Sequence, residues 1–238
     1  MREAAEISAP SDAVRSHVQD GEQLKARIAR SEERGPARAV RSDTRVRLLA
    51  AALQLFARNG FEATTMRDLA AFCGIKAPAI YNHFTSKEVV LGQALLWAMQ
   101  DFNAAVLDSD GVAVANDSAV DRLRGILARH INYQIENPMI ARAFDVLSAN
   151  DVLARLGESE ERTAVMDQLK LYLRTVSTLV GEILERQDPP RPSTRIISHA
   201  ITTMHDQISR WHVSRSDAQD IELVDTYWDL TRQMLRLA

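Results

Sequence analysis

Residues 64–88 read TTMRDLAAFCGIKAPAIYNHFTSKE. The stretch spells two short helices joined by a glycine turn, with a third helix following at once. Thr65 can cap a helix through its hydroxyl, and Asp68, three residues on, can answer a free backbone amide and favours the positive helix end. The spacing predicts a helix starting at Met66. Met66, Leu69, Ala70 and Cys73 recur at helical spacing and supply a buried face, and Gly74 ends the helix in a left-handed conformation. The turn covers residues 74–76. Pro78, which has no amide proton to lose, is tolerated in the first turn of a second helix predicted over residues 77–84. Ile75, Ile80 and Phe84 pack inward from it. Lys76, Ala77, Ala79, Tyr81, Asn82 and His83 then lie on or near the outer surface, a chemistry that suits a DNA major groove.

Working outward, a preceding helix is predicted to begin after Ser42 or Asp43 and to end at Asn59, with Gly60 terminating it. Leu48, Leu49, Ala52, Leu55 and Phe56 form its inward face, and Phe61 packs under the turn. A following helix is predicted to start after Thr85 or Ser86, where Thr85 and Glu88 have capping-box spacing. It continues through Val89, Val90, Ala94, Leu95, Trp97 and Phe102 and joins this block to the rest of the chain.

The block resembles the DNA-binding domain of the TetR family of transcriptional repressors. The matching segments are LLAAALQLFARNGFEATTM, RDLAAFCGI and IYNHFTSKEVVL, which together cover residues 42–95 and are far more specific than a generic helix-turn-helix pattern. The resemblance implies an all-α protein: a three-helix reader over residues 42–88, then a helical effector-binding and dimerisation domain over residues 89–238. It also implies site roles. Tyr81 resembles a contact to the DNA backbone or a thymine methyl, His83 a phosphate contact, and Lys87 the lysine at the next helix start that pairs with phosphate. Thr64 and Thr65 can bind phosphate through hydroxyls and amides, while Lys76, Ala77 and Pro78 lie nearest the base edges. With Asn82 and the preceding cations Arg45 and Arg47, these form the expected DNA-contacting set. Lys76 departs from the family pattern, standing where a serine or threonine often caps the recognition helix.

Composition agrees with a helical, globular chain. Of 238 residues, 46% are apolar and only 5% aromatic, with few glycines and prolines, which favours helices over sheets. A net charge of −3 would argue against a nucleic-acid partner if it were evenly spread. It is not: Lys25, Arg27, Arg30, Arg34, Arg38, Arg41, Arg45 and Arg47 outnumber Glu32, Glu33 and Asp43 just before the reader. Residues 1–41 read as a basic extension, either an arm that contacts phosphates or a solvated tail. With no membrane-spanning run, no leader at the N-terminus and a single cysteine, the expected compartment is the cytoplasm.

Beyond residue 108, helices are predicted over residues 118–136, 138–149, 158–187, 193–213 and 217–237, separated by Asn137 with Pro138, Gly157, the DPPRP run and residues 214–217. The last two carry more apolar surface than one face can use. Ile197, Ile201, Met204, Ile208 and Trp211 form a stripe on one, with Ile196 and Ala200 beside it. On the other, Leu223, Tyr227, Leu230, Met234 and Leu237 form one stripe, and Ile221, Val224, Trp228 and Leu235 another. The surplus predicts a homodimer through Ile201, Met204, Ile208, Trp211, Tyr227, Leu230 and Met234, in line with the family's use of its last two helices.

A regulator of this kind needs an effector site, and large flexible apolar groups of the middle helices are its predicted walls: Trp97, Met99, Phe102, Met139, Phe144, Met166 and Tyr172. Arg122, Arg124, Arg129 and Arg142 leave room for an anionic or acyl-CoA-like effector beside an apolar one. The expected function is a ligand-responsive regulator, in the family's common mode a repressor, that binds a palindromic operator as a dimer. Its rivals are a helical enzyme and an interaction module with a degenerate helix-turn-helix. No catalytic, cofactor or metal set is expected: Cys73 lies on a buried face without a basic neighbour in its motif, and His130, His199, His205 and His212 lack the three- or four-residue spacing of ligands on one helical turn.

Overall fold

The computed structural model describes residues 44–107, 118–148, 150–189 and 192–237. The expected basic extension over residues 1–41 lies outside them. Among the described residues the fold is all-α. Eleven helices run in the order α1 (Thr44–Asn59), α2 (Met66–Phe72), α3 (Ala77–Ile80), α4 (Lys87–Val106), α5 (Ala119–Glu136), α6 (Pro138–Leu147), α7 (Asn150–Ala154), α8 (Glu160–Glu185), α9 (Thr194–Asp206), α10 (Ile208–Trp211) and α11 (Asp217–Met234).

Local chemistry sets most boundaries. Ser86, Ser118, Ser159, Ser193 and Ser216 cap α4, α5, α8, α9 and α11, each accepting from a backbone amide three residues on. The cap of α4 therefore falls to Ser86 rather than Thr85. Gly60 and Gly74 take φ of +86° and +68°, the left-handed conformation that lets the chain leave α1 and α2 at low cost.

Three departures have physical causes. After Ile80 the chain tightens instead of continuing as α-helix to residue 84: the amides of Tyr81, Asn82 and His83 bond three residues back, to Pro78, Ala79 and Ile80. The helix expected over residues 193–213 breaks at Gln207, which lets Ile208 enter a small core with Ile131 and Leu223. Burial overrides helical continuity there. Helix α7 carries no signal in the sequence; it is a single short stretch whose Leu153, with Leu156 just beyond it, joins the reader's core.

That reader core is shared. Leu48, Leu53, Phe56, Leu69, Ile80 and Phe84, all nearly inaccessible, form one cluster with Leu91 and Leu95 of α4, Ala143 and Leu147 of α6, and Val165 of α8. Helix α1 lies along both α4 and α6, and α4 continues onto α5 and α8. A second cluster holds α4, α5, α8, α9 and α11 together around Met99, Phe102, Leu123, Tyr172, Val176 and Ile201. Reader and remainder are thus mechanically continuous, since close-packed interiors transmit small displacements.

Candidate nucleic-acid interface

The helix-turn-helix is pinned from within. Thr65 Oγ accepts from the Asp68 amide at 3.2 Å, and Asp68 Oδ2 accepts from the Thr65 amide at 2.8 Å, a closed capping box at the start of α2. These bonds hold the Asp68 carboxyl below its ordinary pKa. Helix α3 has no such device. Its N-cap is Lys76, whose side chain makes no capping bond, and Pro78 in the first turn sets the backbone instead. The Lys76 ammonium is left exposed at the start of the helix.

The expected contact residues divide into two groups. Lys76, Pro78, Tyr81 and Asn82 are exposed, with Tyr81 at 57%, and Ala77 and His83 are half-buried at their side. Ile80 and Phe84, on the opposite face, hold this surface against the core. Thr65 is also exposed, although its hydroxyl is engaged with Asp68 at 2.7 Å.

The second group is tied into the domain. Thr64 is completely buried, and its hydroxyl donates to the Gly60 carbonyl oxygen at 2.9 Å, so it fastens the α1–α2 turn and has no route to a phosphate. Lys87 Nζ donates to the Phe61 carbonyl oxygen at 2.8 Å and sits 4.3 Å from the Phe61 ring centroid. Arg45 donates to the His83 carbonyl oxygen at 2.8 Å, bonds Gln93, and lies over the Phe84 ring at 4.7 Å. Arg47 donates to the Cys73 carbonyl oxygen at 2.8 Å. These cations brace the backbone that carries α3. The sequence shows their charge but not that tertiary carbonyls lie within reach. Cys73 is buried beside them, and burial pushes its thiol up to about 11, which leaves it inert.

The effector-wall set is scattered. Phe102 and Tyr172 meet, ring centroids 5.1 Å apart, with Met99 in the same cluster. Trp97 and Met166 pack against the reader's cluster, Phe144 touches both clusters, and Met139 belongs to neither. Beside Phe102 and Tyr172 the structure gathers His130 and, around it, Gln134, His205 and Asp206, of which sequence spacing sets His130 and His205 apart. Tyr172 Oη lies 2.6 Å from His130 Nδ1, and the other His130 nitrogen is 3.3 Å from the Gln134 amide nitrogen and 3.4 Å from Asp206 Oδ1. The available signal was position. His130 follows Leu123 and Leu127 on the buried side of α5, and His205 lies one turn after Ile201 on the buried side of α9.

The apolar stripe assigned to a dimer also needs correction. Ile201 and Ile208 are fully buried within one chain, so they are core residues and unavailable to a partner. Met204, Tyr227 and Met234 are half-buried, while Trp211 and Leu230 are exposed. From α9 onward the exposed large apolar residues are Ile196, Trp211, Val213, Ile221 and Leu230.

Comparison with known proteins agrees with this geometry. Residues 48–94 match the family model for bacterial regulatory proteins of the tetR family. The HTH-type transcriptional repressor KstR2 of Rhodococcus jostii is 41% identical over 144 residues, 60% of this chain and 62% of that protein. The chain spans only about one half to three fifths of the length of these curated relatives. In fold it resembles a tetR-family regulatory protein from Rhodococcus RHA1, with a TM-score of 0.69, 23% identity and coverage of 83% of this chain and 100% of the other. It also resembles AibR, solved in complex with isovaleryl coenzyme A and operator DNA, with a TM-score of 0.62, 19% identity and coverage of 82% and 100%. Residues 48–94 thus carry the helix-turn-helix segment that matches the tetR family of bacterial regulatory proteins.

Proposed function

We propose that this chain is a ligand-responsive transcriptional repressor that binds a palindromic operator as a homodimer and is released by a small molecule held among its C-terminal helices. The observation that carries this reading is the exposed surface of Lys76, Pro78, Tyr81 and Asn82, held outward by the buried Ile80 and Phe84. Lys76 can donate to guanine O6 or N7, Pro78 and Ala77 offer apolar contact to a thymine methyl, and Tyr81, Asn82 and His83 reach toward the backbone. Arg45, Arg47, Thr64 and Lys87 position that surface. Residues 42–88 act as the reader and residues 89–238 as the effector and dimerisation part, working in the cytoplasm where the operator lies. Among the described residues no helix is long and apolar enough to cross a membrane.

The dimer in this reading uses the exposed apolar set on α9, α10 and α11, with Ile196, Trp211, Ile221 and Leu230 as its anchors. Two copies place their recognition helices in successive major grooves about 34 Å apart. Effector binding favours a second arrangement of α4 and α6, both packed on α1, in which that spacing is lost. The arginines that left room for an anionic or acyl-CoA-like effector each have a protein partner: Arg122 with Glu182, Arg124 with Asp225, Arg129 with the Val106 carbonyl oxygen and Arg142 with that of Ser209. This favours an apolar, uncharged effector.

Fluorescence anisotropy with labelled duplexes tests the reading. Specific binding should weaken steeply with salt and fall at least tenfold on Tyr81→Ala. Equal affinity for every duplex tried, including those drawn from the DNA flanking its own gene, would count against it.

A further inference from the structure

In the middle of the second core lies a box of polar side chains walled by rings. Phe102 meets His130, Tyr133 and Tyr172 edge-on, at centroid separations of 4.9, 5.2 and 5.1 Å, and Tyr227 closes the far side against His205 at 5.2 Å. His130, Tyr172 and Asp206 satisfy one another. Two of their neighbours are not satisfied: His205 Nε2 and the Oε1 end of the Gln134 amide are buried without a hydrogen-bond partner. Both residues are more than nine-tenths buried, and both adjoin His130, the His205 ring at 5.7 Å and the Gln134 amide at 3.3 Å.

The chemistry of His205 is fixed by its other nitrogen. The Ile201 carbonyl oxygen, 2.8 Å from Nδ1, can only accept, so the proton sits on Nδ1. Burial pulls the ring's pKa down to about 4, so it is neutral and Nε2 presents a lone pair. A buried acceptor of this kind costs free energy until something donates to it. Thioethers, esters and hydrocarbons cannot donate. A hydroxyl can.

We propose that this box binds a neutral small molecule carrying a hydroxyl on a ring, a phenol or ring alcohol, whose O–H donates to His205 Nε2 while its ring lies among the rings that wall the box. The proposal rests on the reading of the C-terminal helices as a sensor and names the effector class for it. It also gives the signal a route. The break at Gln207 lies two residues beyond His205, and α10 just after it is fastened to α6 by Arg142, which donates to the Ser209 carbonyl oxygen, and by Arg210, 3.2 Å from Asp145 Oδ2. Helix α6 lies on α1 of the reader. Opening α10 for a ligand therefore loosens a support of the DNA-binding domain.

The test uses the full chain labelled with 15N-histidine and two probes of similar size, 4-ethylphenol and 4-ethyltoluene. The phenol is expected to shift the His205 Nε2 resonance, to bind about tenfold more tightly than the hydrocarbon, and to weaken retardation of operator DNA. Equal responses to both probes, or phenol binding that leaves the His205 resonance unmoved, overturn the proposal, as does a site that holds only water and ignores both. His205→Phe provides a second arm in which the preference for the phenol should vanish. Retardation of DNA without any probe is read in parallel: if it is intact while the phenol fails, the proposal alone falls, and if it is absent, the regulator reading falls as well.

Discussion

Lys87 Nζ donates to the Phe61 carbonyl oxygen at 2.8 Å, so the first residue of α4 is fastened to the turn that leads into α2. Glu62 adds an ionic contact at 3.8 Å, and the Phe61 ring faces the ammonium. The residue that resemblance casts as a phosphate ligand thus also clamps the two halves of the reader. Lys87→Met is expected to lower stability by about 1–2 kcal/mol, as befits a lost charged hydrogen bond to a part-buried carbonyl. Urea unfolding checks this; a variant as stable as the parent but weaker on DNA would return Lys87 to a purely DNA-facing role.

The capping box of α2 gives a second expectation. Thr65→Ala removes the side-chain acceptor for the Asp68 amide and should cost about 1 kcal/mol. Asp68 has a folded pKa below its unfolded value, first through the Thr65 hydroxyl and then through its amide. Its stabilising contribution is therefore present above about pH 4, the unfolded value, and is lost as pH falls through the lower folded value. Thermal melts of parent and Asp68→Asn should accordingly converge in acid.

Asp206 has the opposite sign. Partial burial, with the side chain still 46% exposed, followed by the nearby Asp145, raises its carboxyl from 3.8 to about 7. Folding is therefore favoured most by this group below its unfolded pKa, and that contribution is lost as pH rises through about 7. His205, lowered by burial to about 4, works against this: its contribution is present above its unfolded value near 6.5 and is lost toward pH 4. Replacing Asp206 by Asn should leave the His205 effect exposed. The Tm advantage of Asp206→Asn over the parent is expected to grow between pH 4 and 7; an advantage that is constant across that range would contradict the assignment.

Apolar residues of α9 and α10 should separate by role. Ile201→Ala opens a cavity in a fully buried site and should cost about 2–5 kcal/mol without any direct effect on association. Trp211→Ser with Ile221→Ser changes exposed positions, so folding should persist while sedimentation shifts from dimer toward monomer. A double variant that still sediments as a dimer would place the interface elsewhere.

These contrasts show what the sequence could and could not disclose. Helices with a capping serine or a terminating glycine were legible because the signal is local: Thr65 with Asp68, Gly74 and Ser118 each act within four residues. The reader's surface was legible because Ile80 and Phe84 fix which side faces in. Partners contributed by distant segments were not. Arg47 finds Cys73 O, and His130 finds Tyr172, only after folding brings together residues 26 and 42 positions apart. The stripe through Ile201 and Ile208 signalled burial correctly, but periodicity alone does not say whether the covering surface belongs to the same chain or to another.

The central claim is that α3 and its surroundings read DNA as one half of a symmetric pair. The most direct measurement is selection from a random duplex library by the full chain, followed by sequencing of the retained DNA. The expected result is a palindrome with half-sites one helical turn apart, lost when Tyr81 and Lys76 are both replaced by Ala. Recovery of unselected DNA, or of the same palindrome by that double variant, would contradict it.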